Sequence, residues 1–233
     1  MAQQQRITIT VPDGSFAAYL ATPDAGNANG AAIVVLQEIF GINADLRETC
    51  DNFARDGFVA ICPDLFWRQE PNVELTDKTE AEWKKAFALY NGFDVDKGMA
   101  DVGATIQAAR QQPGVKAVGT VGYCLGGLLA LLSATRTDAD ASVSYYGVGM
   151  DKYLGEASKI AKPLLMHIAE ADEFVPPESR AKIVETLKDN RHVEIHTYPG
   201  CQHAFARNQG VHYVDAAAKA ANARTLKHFL SMK

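Results

Sequence analysis

The chain has 233 residues, 47% of them hydrophobic and 22% charged, the make-up of a globular protein with one sizeable core, and it predicts a single domain over residues 1–233. A formal net charge of -5 offers no attraction to nucleic acid or to an anionic membrane, which leaves a small molecule as the expected partner of a monomer. The opening MAQQQRITIT has neither the charged nor the apolar region of a secretory signal, and no apolar run reaches the roughly 20 residues that span a bilayer, so a cytoplasmic location is expected. Cys50, Cys62, Cys124 and Cys201 stand at long, irregular spacings. They predict free thiols, with no disulfide framework and no metal site.

In chain order, RITITV (6–11) and FAAYLA (16–21) flank PDGS and predict an N-terminal hairpin. AAIVVLQ (31–37), FVAICPDL (58–65), VKAVGTVGY (115–123), ASVSYYG (141–147), PLLMHIA (163–169) and VEIHTY (193–198) are short, apolar and β-branched, as strands covered on both faces should be. Between them lie helical stretches at 43–57, where Asn43 is a candidate N-cap, and at 79–91, 94–112, 125–136, 177–190 and 215–232. Alternation of strand and helix predicts an α/β three-layer sandwich with a mostly parallel central sheet and an antiparallel hairpin at one edge. The polar, unpatterned WRQEPNVELTD (67–77) is the candidate loop bordering a pocket.

Within VGTVGYCLGGLL (118–129) a strand must end and a helix begin in about two residues, which forces the residue at the turn into strained dihedrals and leaves no room for side chains beside it. Gly122, Gly126 and Gly127 provide that room. Gly-x-Cys-x-Gly is the nucleophile elbow of an α/β hydrolase with cysteine in the usual place of serine, and a sulfur held at a helix N-terminus is favoured as thiolate. Cys124 is therefore the candidate nucleophile. A thiol with an ordinary pKa near 8.5 is only a few per cent ionised at neutral pH, so a base and an orienting acid are required, in the chain order nucleophile, acid, histidine. Asp172 follows one strand, and His203 follows the next after a Pro-Gly turn, so both emerge at the same sheet edge as Cys124. Glu170 and Glu173 stand beside Asp172 as alternative acids. The other histidines lie within strands or beside polar or helical surface.

QEIFGIN, CPDL, GYCLGG, YYGVG, DEFVPP and HAFAR together resemble the dienelactone hydrolase family, the carboxymethylenebutenolidases, from about residue 31 to the C-terminal helix. The resemblance implies a cofactor-free cytosolic α/β hydrolase that opens an unsaturated, carboxylate-bearing lactone in aromatic degradation. Cys124 resembles the nucleophile, His203 the base and Asp172 its carboxylate. Glu38 resembles a glutamate that pairs with the arginine matched by Arg207, until a substrate carboxylate takes that arginine and frees Glu38 to draw the thiol proton. Tyr145 is matched by a tyrosine near the site or packs in the core.

Backbone N–H groups of Leu125, after the nucleophile, and Ile39, in the loop after an early strand, are the expected oxyanion donors. Arg207 can hold a carboxylate bidentately. One position departs from the family: where a second arginine usually meets the substrate carboxylate, this chain has Trp83, followed by Lys84 and Lys85. Trp83 points to a larger or less acidic ester or lactone, with Lys84 or Arg68 able to replace the charge. Thiolate is a good leaving group, so its adduct moves forward only when the departing oxygen is stabilised, as in an enol lactone or other activated ester. A broader esterase or thioesterase, and a thiol sensor using Cys124 and Cys201, are the competing readings.

Overall fold

A computed structural model describes residues 3–208 and 210–232. Its eight strands form one sheet in the order β1-β2-β4-β3-β5-β6-β7-β8, and the described residues gather into two compact units, one up to residue 119 and one from residue 120, with the division inside β5.

In the first unit β1 (Gln3–Val11) and β2 (Gly14–Thr22) form the antiparallel hairpin, in register from Gln3 opposite Thr22 to Val11 opposite Gly14. β2 pairs antiparallel with β4 (Val59–Pro63), which in turn runs parallel to β3 (Ala31–Leu36). Helices α1 (Ala44–Arg55), α2 (Glu80–Asn91) and α3 (Val95–Arg110) start where local chemistry permits. Each first turn has orphan N–H groups, and a polar side chain meets them: Asn43 accepts from Leu46 N–H at 3.1 Å, Thr79 from Glu82 N–H at 3.3 Å and Asp94 from Lys97 N–H at 3.1 Å. The strand predicted to reach residue 65 ends at Pro63. Asp64 turns the chain there, its carboxylate accepting Phe66 N–H at 3.2 Å and Asn72 N–H at 2.7 Å.

In the second unit β5 (Ala117–Tyr123), β6 (Ala141–Tyr145), β7 (Leu164–Ala169) and β8 (Val193–Tyr198) follow one another. β6, β7 and β8 are parallel, with Tyr145 opposite His167 and His167 opposite His196. Helix α4 (Leu125–Arg136) is buried along nearly its whole length, which explains a sequence apolar on every face. Two short 3-10 helices (Met150–Lys152 and Leu154–Lys159), α5 (Pro177–Leu187) and α6 (Asp215–Leu230) complete the unit, with α6 packed on β6 and β7. Among the described residues no helix is long and apolar enough to cross a membrane.

Candidate active site

β5 ends at Tyr123 and α4 begins at Leu125, so Cys124 alone makes the turn, at φ 56° and ψ -113°. This conformation is strained for a residue with a Cβ and persists only where the surroundings enforce it. They do so at the backbone: Cys124 N–H donates to Tyr145 C=O at 3.1 Å, and Cys124 C=O accepts Gly127 N–H at 3.0 Å and Val148 N–H at 3.3 Å. The close approach depends on two glycines. A Cβ at Gly122 would lie 1.8 Å from Gly126 O, and one at Gly127 would lie 2.6 Å from Tyr145 O. Cys124 itself is 8% exposed. Leu125 opens α4, so its N–H is among those without an intrahelical acceptor.

The candidate acid and base come from the loops after β7 and β8. His203 Nδ1 is 2.8 Å from Asp172 Oδ2, both side chains being almost wholly buried. Asp172 Oδ1 accepts Phe174 N–H at 2.9 Å, which fixes the carboxylate, and Ala171 N–H donates to Cys201 C=O at 2.9 Å, which ties the two loops. Glu170 and Glu173, the alternative acids, are exposed. With Nδ1–H given to Asp172, Nε2 is the other face of the imidazole, and it is buried. Burial disfavours the imidazolium, but the Cys124 charge, the hydrogen bonds of Asp172 and Cys124, and the Asp172 charge together outweigh it and raise the His203 pKa from 6.5 to about 10. The imidazole is thus a proton holder whenever the neighbouring sulfur is ionised. For Cys201, burial and then Glu170 push the thiol pKa up, which makes this cysteine a poor thiolate.

Residues 120–232 bring Cys124, Asp172 and His203 together. Arg207 lies buried in the same unit four residues past the histidine, its N–H donating to Ala204 C=O at 3.0 Å. Of the two expectations for Tyr145, packing in the core is the one its placement fits: its side chain is 0% exposed and its hydroxyl lies 2.9 Å from Asn222 Oδ1 and 2.7 Å from Thr225 Oγ1, on α6. The ring that does meet the histidine belongs to the next residue. Tyr146, at φ 38°, packs edge-on to His203 at 5.1 Å between centroids, and Phe174 does so at 4.9 Å. YYGVG carried no signal to choose between the two tyrosines, because β6 stops at the first and the positive φ of the second redirects its side chain.

Glu38 and Ile39 belong to the first unit, in the buried loop after β3. Gln37 secures that loop by accepting Leu65 N–H at 3.0 Å and donating to Glu38 C=O at 3.3 Å. Gly41, at φ 74°, bridges to Glu74, and a Cβ there would lie 1.9 Å from Val73 O. Trp83 is held beside the same loop: its indole N–H donates to Asp77 C=O at 3.0 Å, and its ring meets Phe40 edge-on at 5.1 Å and stacks on Phe87 at 5.4 Å. Arg68, offered as a replacement charge, is committed elsewhere. It donates to Asp13 Oδ2 at 2.8 Å and to the buried Asp101 Oδ1 at 3.0 Å. Lys85 pairs with Glu70 at 2.6 Å, and Lys84 is exposed. Among the described residues no cluster of three or more His, Cys, Asp or Glu side chains is arranged to hold a metal ion.

Comparison with known proteins gives one answer. The model of the dienelactone hydrolase family matches residues 16–232. A protein of Azospirillum brasilense provisionally named a carboxymethylenebutenolidase is 51% identical over 227 residues, covering 95% of this chain and 96% of that one. The carboxymethylenebutenolidase of Pseudomonas putida is 41% identical over 222 residues, covering 94% and 93%. Among solved structures, a protein of Klebsiella pneumoniae provisionally named a dienelactone hydrolase matches with a TM-score of 0.85 at 25% identity, covering 99% of each chain.

Proposed function

Because the chain belongs to the dienelactone hydrolase family and is a hydrolase of the α/β-hydrolase fold, we propose that it opens an activated lactone or ester, of the dienelactone type, through a thioester on Cys124. The observation that carries this reading is the 2.8 Å contact between His203 and Asp172, with the imidazole pKa raised to about 10 by the charge of Cys124 and its hydrogen bonds.

The thiolate of Cys124 attacks the carbonyl carbon, and the negative oxygen is received by the Leu125 and Ile39 N–H groups. The ring C–O bond then breaks, and the enolate leaves, takes a proton from the His203 imidazolium and tautomerises to a ketone that cannot reclose. Neutral His203 next takes a proton from water, the hydroxide attacks the thioester carbon, and the C–S bond breaks to return the carboxylate product and the Cys124 thiolate. Glu38 and Arg207 add a substrate-operated step: a substrate carboxylate pairing with Arg207 frees Glu38 to receive the thiol proton, which passes on to His203 and is the one the imidazolium later gives to the enolate. The partner is a small anionic lactone or ester, met by a monomer in the cytoplasm, where reducing conditions keep the free cysteines as thiols. Trp83 favours a substrate with an apolar group, since its indole N–H is committed to Asp77 and its ring continues into Phe87, which is 38% exposed.

The test pairs substrates with variants. Cys124→Ala should lose turnover of both a dienelactone and an aryl acetate, while the wild type incubated with either should yield a hydroxylamine-sensitive adduct on Cys124 by mass spectrometry. Turnover retained by Cys124→Ala rejects the mechanism. Glu38→Gln should bind the dienelactone but acylate at least about 100-fold more slowly; unchanged kinetics remove Glu38 and leave the simpler triad. A higher kcat/KM on the aryl ester than on the dienelactone identifies the broader esterase.

A further inference from the structure

Beneath the elbow lies a chain of polar groups that the chemistry above does not use, buried at Tyr145, His167, Tyr198 and Thr225 and exposed at its Asn222 and Arg224 ends. His167, fully buried on β7, the strand beside the β8 edge of the sheet, has both ring nitrogens engaged: Nδ1 lies 2.9 Å from the Tyr198 hydroxyl and Nε2 lies 3.0 Å from Thr225 Oγ1. Thr225 Oγ1 is 2.7 Å from the Tyr145 hydroxyl, which is 2.9 Å from Asn222 Oδ1, and Arg224 Nη1 donates to the Tyr198 hydroxyl at 3.0 Å. Elements β6, β7, β8 and α6 thus share one network.

The two ends fix its direction. A guanidinium can only donate and an amide oxygen can only accept. Tyr198 oxygen therefore receives Arg224 N–H and gives its own proton to His167 Nδ1. His167 Nε2–H donates to Thr225, Thr225 O–H donates to Tyr145, and Tyr145 O–H donates to Asn222 Oδ1. With the opposite tautomer, Thr225 O–H turns to Nε2, and the single Tyr145 proton then has to serve both Thr225 and Asn222. An imidazolium would leave the Tyr198 proton without an acceptor in the chain. Only the neutral Nε2–H imidazole satisfies every link. The groups facing it agree: burial first, then His196 from β8 and Arg224 and His228 from α6, hold its pKa well below 6.5, and Tyr145, Tyr198 and Thr225 are neutral.

The network reaches the triad at two points. Tyr145, whose hydroxyl it holds, accepts the Cys124 N–H through its carbonyl at 3.1 Å. The carbonyl of His167 itself accepts Tyr146 N–H at 2.8 Å, fixing the residue whose ring packs on His203. We infer that neutral His167, with Thr225, is a positioning device that sets Cys124 and His203 in register from below. This inference rests on the triad reading above.

The experiment uses the full-length protein. In 15N-histidine spectra the His167 ring, assigned by its loss in His167→Asn, should show a pyridine-like Nδ1 and a pyrrole-like Nε2 that do not titrate between about pH 9 and pH 5. Thr225→Val, which breaks the relay, should lower kcat on an aryl acetate and the rate of Cys124 alkylation by iodoacetamide together, each about tenfold or more, with KM within about twofold; Thr225→Ser should restore both to within about threefold. An Nδ1–H tautomer or an imidazolium at neutral pH overturns the inference, as does Thr225→Val acting like the wild type or Thr225→Ser faring no better than Val. The tautomer is read on the wild type, so the inference stays testable if Thr225→Val does not fold. Cys124→Ala separates the two claims: if it retains turnover the triad reading falls and the positioning role with it, whereas an inactive Cys124→Ala beside an unaffected Thr225→Val rejects the positioning role alone.

Discussion

Cys124, Tyr146 and Ala204 all hold positive φ, at 56°, 38° and 61°, and all three belong to or adjoin the proposed catalytic groups. Strain of about 1–3 kcal/mol per residue survives only where neighbours over-determine the backbone, and Gly127 shows how tight that constraint is. Its added Cβ would sit 2.6 Å from Tyr145 O, 2.7 Å from Gly147 Cα and 2.9 Å from Gly147 N, all backbone atoms that cannot swing aside. Because that same carbonyl receives the Cys124 N–H, the clash is passed to Cys124, the proposed nucleophile. Gly127→Ala should therefore cost about 1–3 kcal/mol and lower kcat/KM by about 100-fold. Gly155→Ala, whose Cβ meets nothing within 4 Å, is the control; equal melting temperatures and rates for the two variants would show that the elbow has slack the distances deny.

Elements in the first unit are joined by a clasp that composition alone could not reveal. Arg68, after β4, reaches Asp13 in the hairpin turn and Asp101 on α3, while Trp67 indole N–H donates to Asp101 Oδ2 at 2.9 Å and the Arg68 guanidinium lies 4.3 Å from the Trp67 ring centroid. Asp101 is 0% exposed, so removing the arginine strands a buried carboxylate, which costs more than the pair contributes. Arg68→Met should lose about 3 kcal/mol in urea unfolding, and adding Asp101→Leu should recover part of it. KM for an anionic lactone should stay unchanged, since this guanidinium is already held; a rise in KM would return Arg68 to the substrate. The elements themselves were legible, because each has its own periodicity and its own breaker, as at Asn43 before α1. The clasp was not: its partners are separated by 55 and 33 residues, and a charged residue in a polar loop reads the same whether it is solvated or paired.

For the whole molecule the same distinction holds. The pairing of Asp172 with His203 was readable because strand ends line up along one sheet edge, whereas the contact of Tyr146 rather than Tyr145 with His203 and the relay through His167 depend on which way side chains leave neighbouring strands. Three of the histidines shape the pH dependence of folding, two with one sign and the third with the other. His167 is held neutral by burial and by His196, Arg224 and His228, its pKa well below 6.5; below pH 6.5 the unfolded chain takes a proton that the native state refuses, so this stabilisation is full above that pH and lost as pH falls. His228, lowered mainly by burial, adds to that acid-side loss. His203 is raised to about 10 where the Cys124 sulfur carries its charge; in that form only the native imidazole holds the proton between 6.5 and that value, so its contribution is full below 6.5 and lost as pH rises through about 10. Together they predict a melting temperature that is highest near pH 6.5 and declines on both sides. His203→Gln should flatten the alkaline decline and leave the acid one, measured by calorimetry across the pH range; an unaltered alkaline arm in that variant would mean that the native imidazole does not hold its proton there.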